Sequence, residues 1–170
     1  FFSRLDDILA KHKGQHILVT AHHPILSAGI HGGYFTLADH LFPLAIVNKW
    51  ALLPLPIIGS VYPFARKYGG VSQDIAYPAY QDYKNGLEAP FRKYPNVVYA
   101  TGHEHNIQYL KGPNYHHIVS GSGCKTQHVR DNYGEFNFKE KGFARVNYYR
   151  NGDTWVEFYT AADKDEPGKL

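Results

Sequence analysis

Ala21-His22-His23-Pro24 and Gly102-His103-Glu104-His105-Asn106 each follow directly after a short apolar run of the sequence. The two runs are Ile17-Leu18-Val19-Thr20 and Val97-Val98-Tyr99-Ala100. Their length and their content of β-branched and aromatic residues predict buried strands. In open α/β sheets, ligands bind beyond the carboxyl ends of the strands. The sequence therefore predicts that several imidazoles gather at one rim of a sheet, as a metal site requires.

The composition is that of a globular domain of ordinary size. The chain has 170 residues, of which 44% are hydrophobic and 19% charged, enough for one domain with its own core. A net charge of +3 without any Lys/Arg-rich run argues against a nucleic-acid partner. The single cysteine, Cys124, excludes an internal disulfide. Because the chain contains no methionine and opens inside an amphipathic helical pattern, we interpret it as a fragment.

Hydrophobic periodicity divides residues 1–161 into the helices and strands of one domain, followed by a charged tail at 162–170. Apolar residues at helical spacing predict two helices, over 1–13 and 78–94. Continuous or alternating apolar runs predict six strands, over 16–21, 97–101, 107–111, 115–120, 142–149 and 154–160. The last two flank Asn151-Gly152, a strong hairpin signal.

Residues 34–66 form an apolar insertion that Asn48-Lys49 and several prolines interrupt. A membrane-spanning helix needs about 20 apolar residues in a row, so these interruptions argue against a simple span. We expect the insertion to fold over its own domain. The alternative is a docking surface for a partner protein or a membrane face, since large exposed apolar patches mark such contacts.

The motifs His22-His23-Pro24 and Gly102-His103-Glu104-His105 resemble the late motifs of the calcineurin-like metallophosphoesterases, His-x-Pro and Gly-His-x-His. The continuations over 106–110 and 119–123 are similar to those of the purple acid phosphatase branch. The resemblance covers roughly residues 1–160. It implies an α/β fold with mixed sheets, in which this chain is the C-terminal half of an αββα sandwich.

The resemblance also implies roles for individual histidines. His22 and His103 match two histidines on the second metal ion, and His105 matches a ligand of the first. His23 stands between a ligand and a proline, so it is expected to orient rather than to coordinate. His31 matches a further histidine near the substrate phosphate, which would donate a hydrogen bond or protonate the leaving alkoxide. A loop histidine that faces water is the alternative for His31.

The early motifs of the family do not occur in this chain. They are Asp-x-His, Gly-Asp-x-x-Asp and Gly-Asn-His-Asp/Glu, and Asp39, Asp74 and Asp82 lack their contexts. The chain is therefore expected to hold about half of a site for two iron, zinc or manganese ions, completed by a missing N-terminal half. The whole domain would hydrolyse phosphomonoesters or phosphodiesters. The chain alone is expected to be inactive, and the resemblance favours an extracytoplasmic location, in the periplasm or at the cell surface.

Two other functions stay open. The fold could serve as a scaffold or binding module in a larger, membrane-associated assembly, or the histidines could hold a single structural metal ion. Three smaller predictions concern residues near the histidines. Gly102 is expected to allow a tight turn, and Asn106 to tie the loop down by hydrogen bonds. Glu104 is expected to face solvent, with a hydrogen bond to a ligand histidine as the alternative.

Two predictions concern residues away from that loop. Cys124 is expected to be a small buried filler rather than a reactive thiol. In the strand over 115–120, His116 and His117 are adjacent, so one ring should face the core and the other the solvent.

Overall fold

A computed structural model of the protein describes residues 1–161; the predicted tail over 162–170 lies outside them. The helices are α1 (Phe2–Lys11), α2 (Leu37–Leu41), α3 (Val61–Tyr68) and α4 (Pro78–Lys93). Short 3₁₀ turns occupy Ile30–Gly32, Pro43–Ile46 and Ile58–Ser60. The strands are β1 (Ile17–Thr20), β2 (Val97–Thr101), β3 (Ile107–Lys111), β4 (Tyr115–Ser120), β5 (Phe136–Phe138), β6 (Gly142–Tyr148) and β7 (Thr154–Thr160).

Five strands form one mixed sheet in the order β1-β2-β4-β3-β5. β1, β2 and β4 run parallel, and β3 is antiparallel to both β4 and β5. β6 and β7 form a separate antiparallel hairpin. The predicted mixed α/β class is confirmed, and so are both long helices and all six predicted strands.

The main core lies between one face of the sheet and the helices α1 and α4. Leu9 of α1 and Phe91 of α4 pack with Val97, Tyr99 and Tyr115, which β2 and β4 contribute. Successive residues of a strand point to opposite faces, so Val98 belongs to the other face. There it lines a cavity with Val156 of β7, which places the hairpin on that side of the sheet.

β1 is less buried than the sequence predicts. It forms the edge of the sheet, and its residues alternate between partly buried and exposed. Ile17 and Val19 pack against the core, whereas Leu18 is exposed. The prediction of a buried strand over 16–21 is therefore wrong in its burial, because only one face of this edge strand is covered. The prediction for β2 is confirmed, since four of its five residues are buried.

The insertion over 34–66 does not fold closely over the domain. Its helices and turns pack mainly on one another, and α3 contacts the turn Ile30–Gly32. Val47 is 91% exposed and Ile57 is 88% exposed, so the expected covering role is wrong for these side chains. None of the helices within residues 1–161 combines the length and the apolar character that a bilayer-crossing helix needs.

His117 is buried completely in the core, while His116 is only half-buried, as the alternation of β4 predicts. Nε2 of His117 lies 3.1 Å from Oγ1 of Thr101. Within residues 1–161, its Nδ1 has no hydrogen-bond partner. Burial lowers the pKa of His117 to about 3, so the folded protein holds this ring in its neutral form.

The buried ring of His117 predicts acid sensitivity. Below pH 6.5, His117 binds a proton in the unfolded chain but stays neutral in the folded protein. The free energy of unfolding therefore decreases as the pH is lowered from 6.5 to about 3. The loss approaches about 1.4 kcal/mol per pH unit. Urea denaturation between pH 7 and pH 4 measures it. The His117→Phe variant should show a shallower decline than the wild type, and an unchanged slope would contradict this assignment.

Candidate functional site

The carboxyl ends of β1 and β2 bring the two histidine stretches together. The strands are parallel neighbours, with Thr20 opposite Ala100, so the residues that follow them meet at one rim. Nε2 of His22 lies 3.3 Å from Nδ1 of His103. One ring nitrogen each of His22, His23 and His103 lies within 4.8 Å of the others. We call these three residues the histidine cluster.

The tight turn of this loop is made by a histidine and not by the preceding glycine. His103 has φ of 66°, in the left-handed region that non-glycine residues rarely adopt. Gly102 has no positive φ, and a Cβ there would meet Nδ1 of His22 at an ordinary 3.9 Å. The predicted role of Gly102 is therefore wrong. Backbone strain at His103 is typical of positions that hold a functional side chain.

Two rings of the histidine cluster, those of His23 and His103, are biased toward the neutral form. Burial, helped by the charge of His31, lowers the pKa of His103 to about 4. Burial and the charge of His22 also lower the pKa of His23. A neutral imidazole keeps a lone pair on one nitrogen, which is the form that binds transition metals. For His103, Nε2 faces the carbonyl oxygen of Gln73 at 3.4 Å, which leaves Nδ1 as the nitrogen turned to His22.

His105 lies outside the histidine cluster but is held in a form that can bind a metal. Its Nδ1 lies 2.8 Å from Oε1 of Gln127, and the backbone N–H of Gln127 donates to the carbonyl oxygen of His105. Since an amide oxygen only accepts, Nδ1 carries the proton and Nε2 carries the lone pair in the neutral ring. Metal-binding histidines are commonly fixed in this way. Gln127 was not singled out from the sequence, because it lies in an irregular loop 22 residues away.

His31 sits beside the cluster and is tied to a buried ion pair. Its ring centroid lies 4.3 Å from that of His103. Nδ1 of His31 lies 3.0 Å from Oδ1 of Asp74, and Arg66 donates to both carboxylate oxygens of Asp74. The His31 side chain is only 12% exposed, so it is not a histidine that simply faces water.

The Asp74 carboxylate is charged although it is buried. Burial alone would raise the pKa of Asp74, but hydrogen bonds from Arg66 and His31, the backbone N–H of Val71 and the charge of Arg66 outweigh it and hold the pKa well below its usual range. Asp74 is not predicted as a site residue from the sequence, because it stands in none of the family motifs. It is the one acidic residue between Asp39 and Asp82, and that isolation is the signal that could have found it.

Glu104 is fully buried, so the expectation that it faces solvent is wrong. Its Oε1 accepts from Oγ of Ser27 at 2.5 Å and from the backbone N–H of His31 at 2.9 Å. Burial raises the pKa of this carboxyl. A Cβ on Gly29 would clash with the carboxyl group of Glu104, so a larger residue there would have to displace that side chain. Glu104 thereby fastens the loop that carries His31 to the loop that carries His103 and His105.

Two smaller predictions have opposite outcomes. Asn106 is buried, donates to the carbonyl oxygen of His128 and accepts from Gln108, so its role in tying the loop down is confirmed. Cys124 is exposed, so the prediction of a buried filler is wrong. It follows the loop over 121–123 beyond the end of β4, where only Ser122 turns inward.

Comparison with known proteins adds a likeness of fold. No family model matches the chain, and no curated protein matches it. Among solved structures, the chain is similar to GAP50, the anchor in the inner membrane complex of Plasmodium, with a TM-score of 0.54 and 18% sequence identity. The match covers 97% of this chain and 39% of that one, so the chain spans well under half of that protein's length. At this identity the likeness concerns the fold alone.

Proposed function

We propose that this chain carries part of a dinuclear metal centre that hydrolyses phosphomonoesters or phosphodiesters. The observation that carries the proposal is the histidine cluster at the adjoining carboxyl ends of β1 and β2, where His22, His23 and His103 converge. These residues stand in the two motifs on which the resemblance to metallophosphoesterases rests. The ions would be iron, zinc or manganese. The imidazole-rich donor set favours iron and zinc.

The ring nitrogens fit such an ion. Two imidazoles on one tetrahedral ion, at about 2.0–2.1 Å each, have nitrogens about 3.3–3.4 Å apart. His22 and His103 have their nitrogens 3.3 Å apart, so we assign these two residues to one ion. Nε2 of His105 would bind the other ion, and His23 is close enough to the first to orient the cluster or to join it.

The remaining ligands would come from outside this chain. Among the residues that the structure describes, the one group of three or more potential ligands consists of histidines, whereas hydrolytic centres with two ions also use carboxylates. The proposed source is the N-terminal half of the same domain. When bound, two ions lower the pKa of a water molecule and stabilise the attacking and leaving oxygens.

Residues of this chain would supply the proton to the leaving group. Asp74 accepts a hydrogen bond from Nδ1 of His31 and so fixes the orientation of that ring. The ring lies beside His103, where its protonated form would be placed to give a proton to the leaving alkoxide. Glu104 holds the backbone of His31, which keeps that ring at a fixed distance from His103.

Metal removal tests this proposal. The full-length protein should hydrolyse p-nitrophenyl phosphate or bis(p-nitrophenyl) phosphate after loading with manganese, zinc or iron. Dialysis against a chelator should remove that activity, and the same metal should restore it. A folded protein that hydrolyses neither substrate with any of the three metals would refute the proposal.

A second candidate function is a scaffold or anchor within a larger, membrane-associated assembly. Two observations favour it: the similar fold of GAP50 belongs to an anchor of a membrane complex, and the insertion over 34–66 exposes many apolar side chains to a protein partner or a membrane face. The extracytoplasmic location stays a prediction under both functions. The hydrolysis assay separates them, because a folded protein that binds no metal and hydrolyses nothing retains only the anchoring role.

A further inference from the structure

Within residues 1–161, the most exposed apolar segment is 47–57, which we call the apolar loop. It joins the 3₁₀ turns Pro43–Ile46 and Ile58–Ser60 and contains no helix or strand. Val47, Trp50 and Ile57 are 91%, 79% and 88% exposed. Further exposed apolar side chains in and beside it are Leu44, Ile46, Leu52, Leu53 and Ile58. A continuous run of this kind is a contact surface rather than scattered surface hydrophobics.

The stretch of sequence that contains the apolar loop carries only basic charges, and the nearest acidic residue before it is Asp39 of α2. No aspartate or glutamate occurs from residue 40 to residue 73, while Lys49, Arg66 and Lys67 do. Arg66 is neutralised by Asp74, which leaves the two lysines. The ammonium of Lys49 lies 5.2 Å from the ring of Trp50. Tryptophan beside lysine is typical of segments that sit at the membrane–water interface, where the ammonium meets anionic headgroups.

Six of the nine backbone N–H groups of the apolar loop have a hydrogen-bond acceptor within the same insertion. The N–H groups of residues 47, 48, 51, 52 and 55 donate to carbonyl oxygens of the same insertion, and that of Trp50 donates to Oδ1 of Asn48. Pro54 and Pro56 have no N–H to satisfy. An ordinary surface loop can leave these groups to water, whereas a segment that enters lipid must satisfy them internally.

One residue of the apolar loop is held outward by a strained turn. Ile57 has φ of 71° and ψ of −61°, and the N–H of Ile58 donates to the carbonyl oxygen of Pro56 at 2.9 Å. This is a γ-turn of the rare, strained kind, and a β-branched residue at positive φ is unusual. The turn presents the Ile57 side chain almost wholly to the surroundings, where burial in lipid would offset the strain.

We propose that the apolar loop inserts shallowly into the headgroup region of an anionic lipid bilayer, with Trp50 and Ile57 in the acyl boundary and Lys49 among the headgroups. Internal hydrogen bonding of most of its backbone N–H groups and the absence of acidic residues from 40 to 73 favour lipid over a protein partner. The proposal does not depend on hydrolysis or on a metal at the histidine cluster.

Vesicle binding tests this proposal. The protein is sedimented with phosphatidylcholine vesicles containing phosphatidylserine, and Trp50 fluorescence is followed in a Trp155→Phe background, since Trp155 is the other tryptophan. We expect co-sedimentation and a blue shift of Trp50. The Val47→Ser/Ile57→Ser double variant should bind about tenfold more weakly or worse, because it loses two buried apolar side chains.

Leu37→Ser is the matched control, since Leu37 is 74% exposed but lies in α2, outside the apolar loop. It should bind vesicles like the wild type. Circular dichroism should show all variants folded, because the altered side chains are exposed. Absence of co-sedimentation, or equal binding by the double variant, would overturn the proposal. Self-association that the double variant abolishes, without vesicle binding, would instead assign the loop to a protein interface and overturn it too.

Discussion

Replacement of His103 by alanine is expected to abolish metal-dependent hydrolysis by the full-length protein, with a loss of more than about a hundredfold. Losing a group that merely supports a ligand costs about 10–100-fold, and His103 is proposed as a ligand itself. Its ring is the centre of the site, with centroids of His22, His23 and His31 at 5.2, 4.5 and 4.3 Å. Titration calorimetry with zinc should show the same loss in metal affinity.

A second variant separates the effect of losing the imidazole from the effect of disturbing the loop backbone. Alanine at the positive φ of His103 could disturb the loop, whereas asparagine tolerates that conformation. His103→Asn should therefore keep the fold and still lose metal binding and hydrolysis. His12→Ala is the matched control, since the side chain of His12 hydrogen-bonds to the exposed Gln15, far along the chain from both histidine motifs. If His103→Asn kept the metal affinity and activity of His12→Ala, His103 would not be a ligand.

The rim of the sheet could be predicted from the sequence because its signals are local. Two apolar runs predicted β1 and β2, and the rule that ligands gather beyond the carboxyl ends of strands predicted that His22 and His103 meet. Both signals lie within ten residues of the feature that they predict. The sequence could not show that β1 is an edge strand, because burial depends on which layers cover each face.

The contacts that hold the histidine loops in place could not be predicted from the sequence, and the physical reason is different. Glu104 accepts hydrogen bonds from a loop more than 70 residues away, and His31 meets Asp74 across 43 residues. No periodicity links such partners. A carboxyl that is paired in the interior has the same local sequence as one in solvent. β5 was missed for a related reason: it has three residues and exists only by pairing with β3.

Replacement of Asp74 by alanine is expected to lower the free energy of unfolding by about 3–5 kcal/mol, because it leaves the guanidinium of Arg66 buried without its partner. Asp74 is 1% exposed and Arg66 10% exposed in their side chains, so water screens this pair little. The loss should be present at neutral pH and shrink as the pH falls below 3.8, the ordinary pKa of the carboxyl, because the unfolded chain then binds a proton. Urea denaturation measures both effects.

A double-mutant cycle isolates the ion pair from the cavity that alanine leaves. Arg66→Met alone leaves the charge of Asp74 buried without a partner, whereas the double variant Asp74→Ala/Arg66→Met leaves neither charge unpaired. The double variant should therefore lose less free energy of unfolding than the sum of the two single variants. Asp82→Ala, at an exposed site on α4, is the control and should change stability by less than about 0.5 kcal/mol. Additive losses in the cycle would show that the two charges do not stabilise each other.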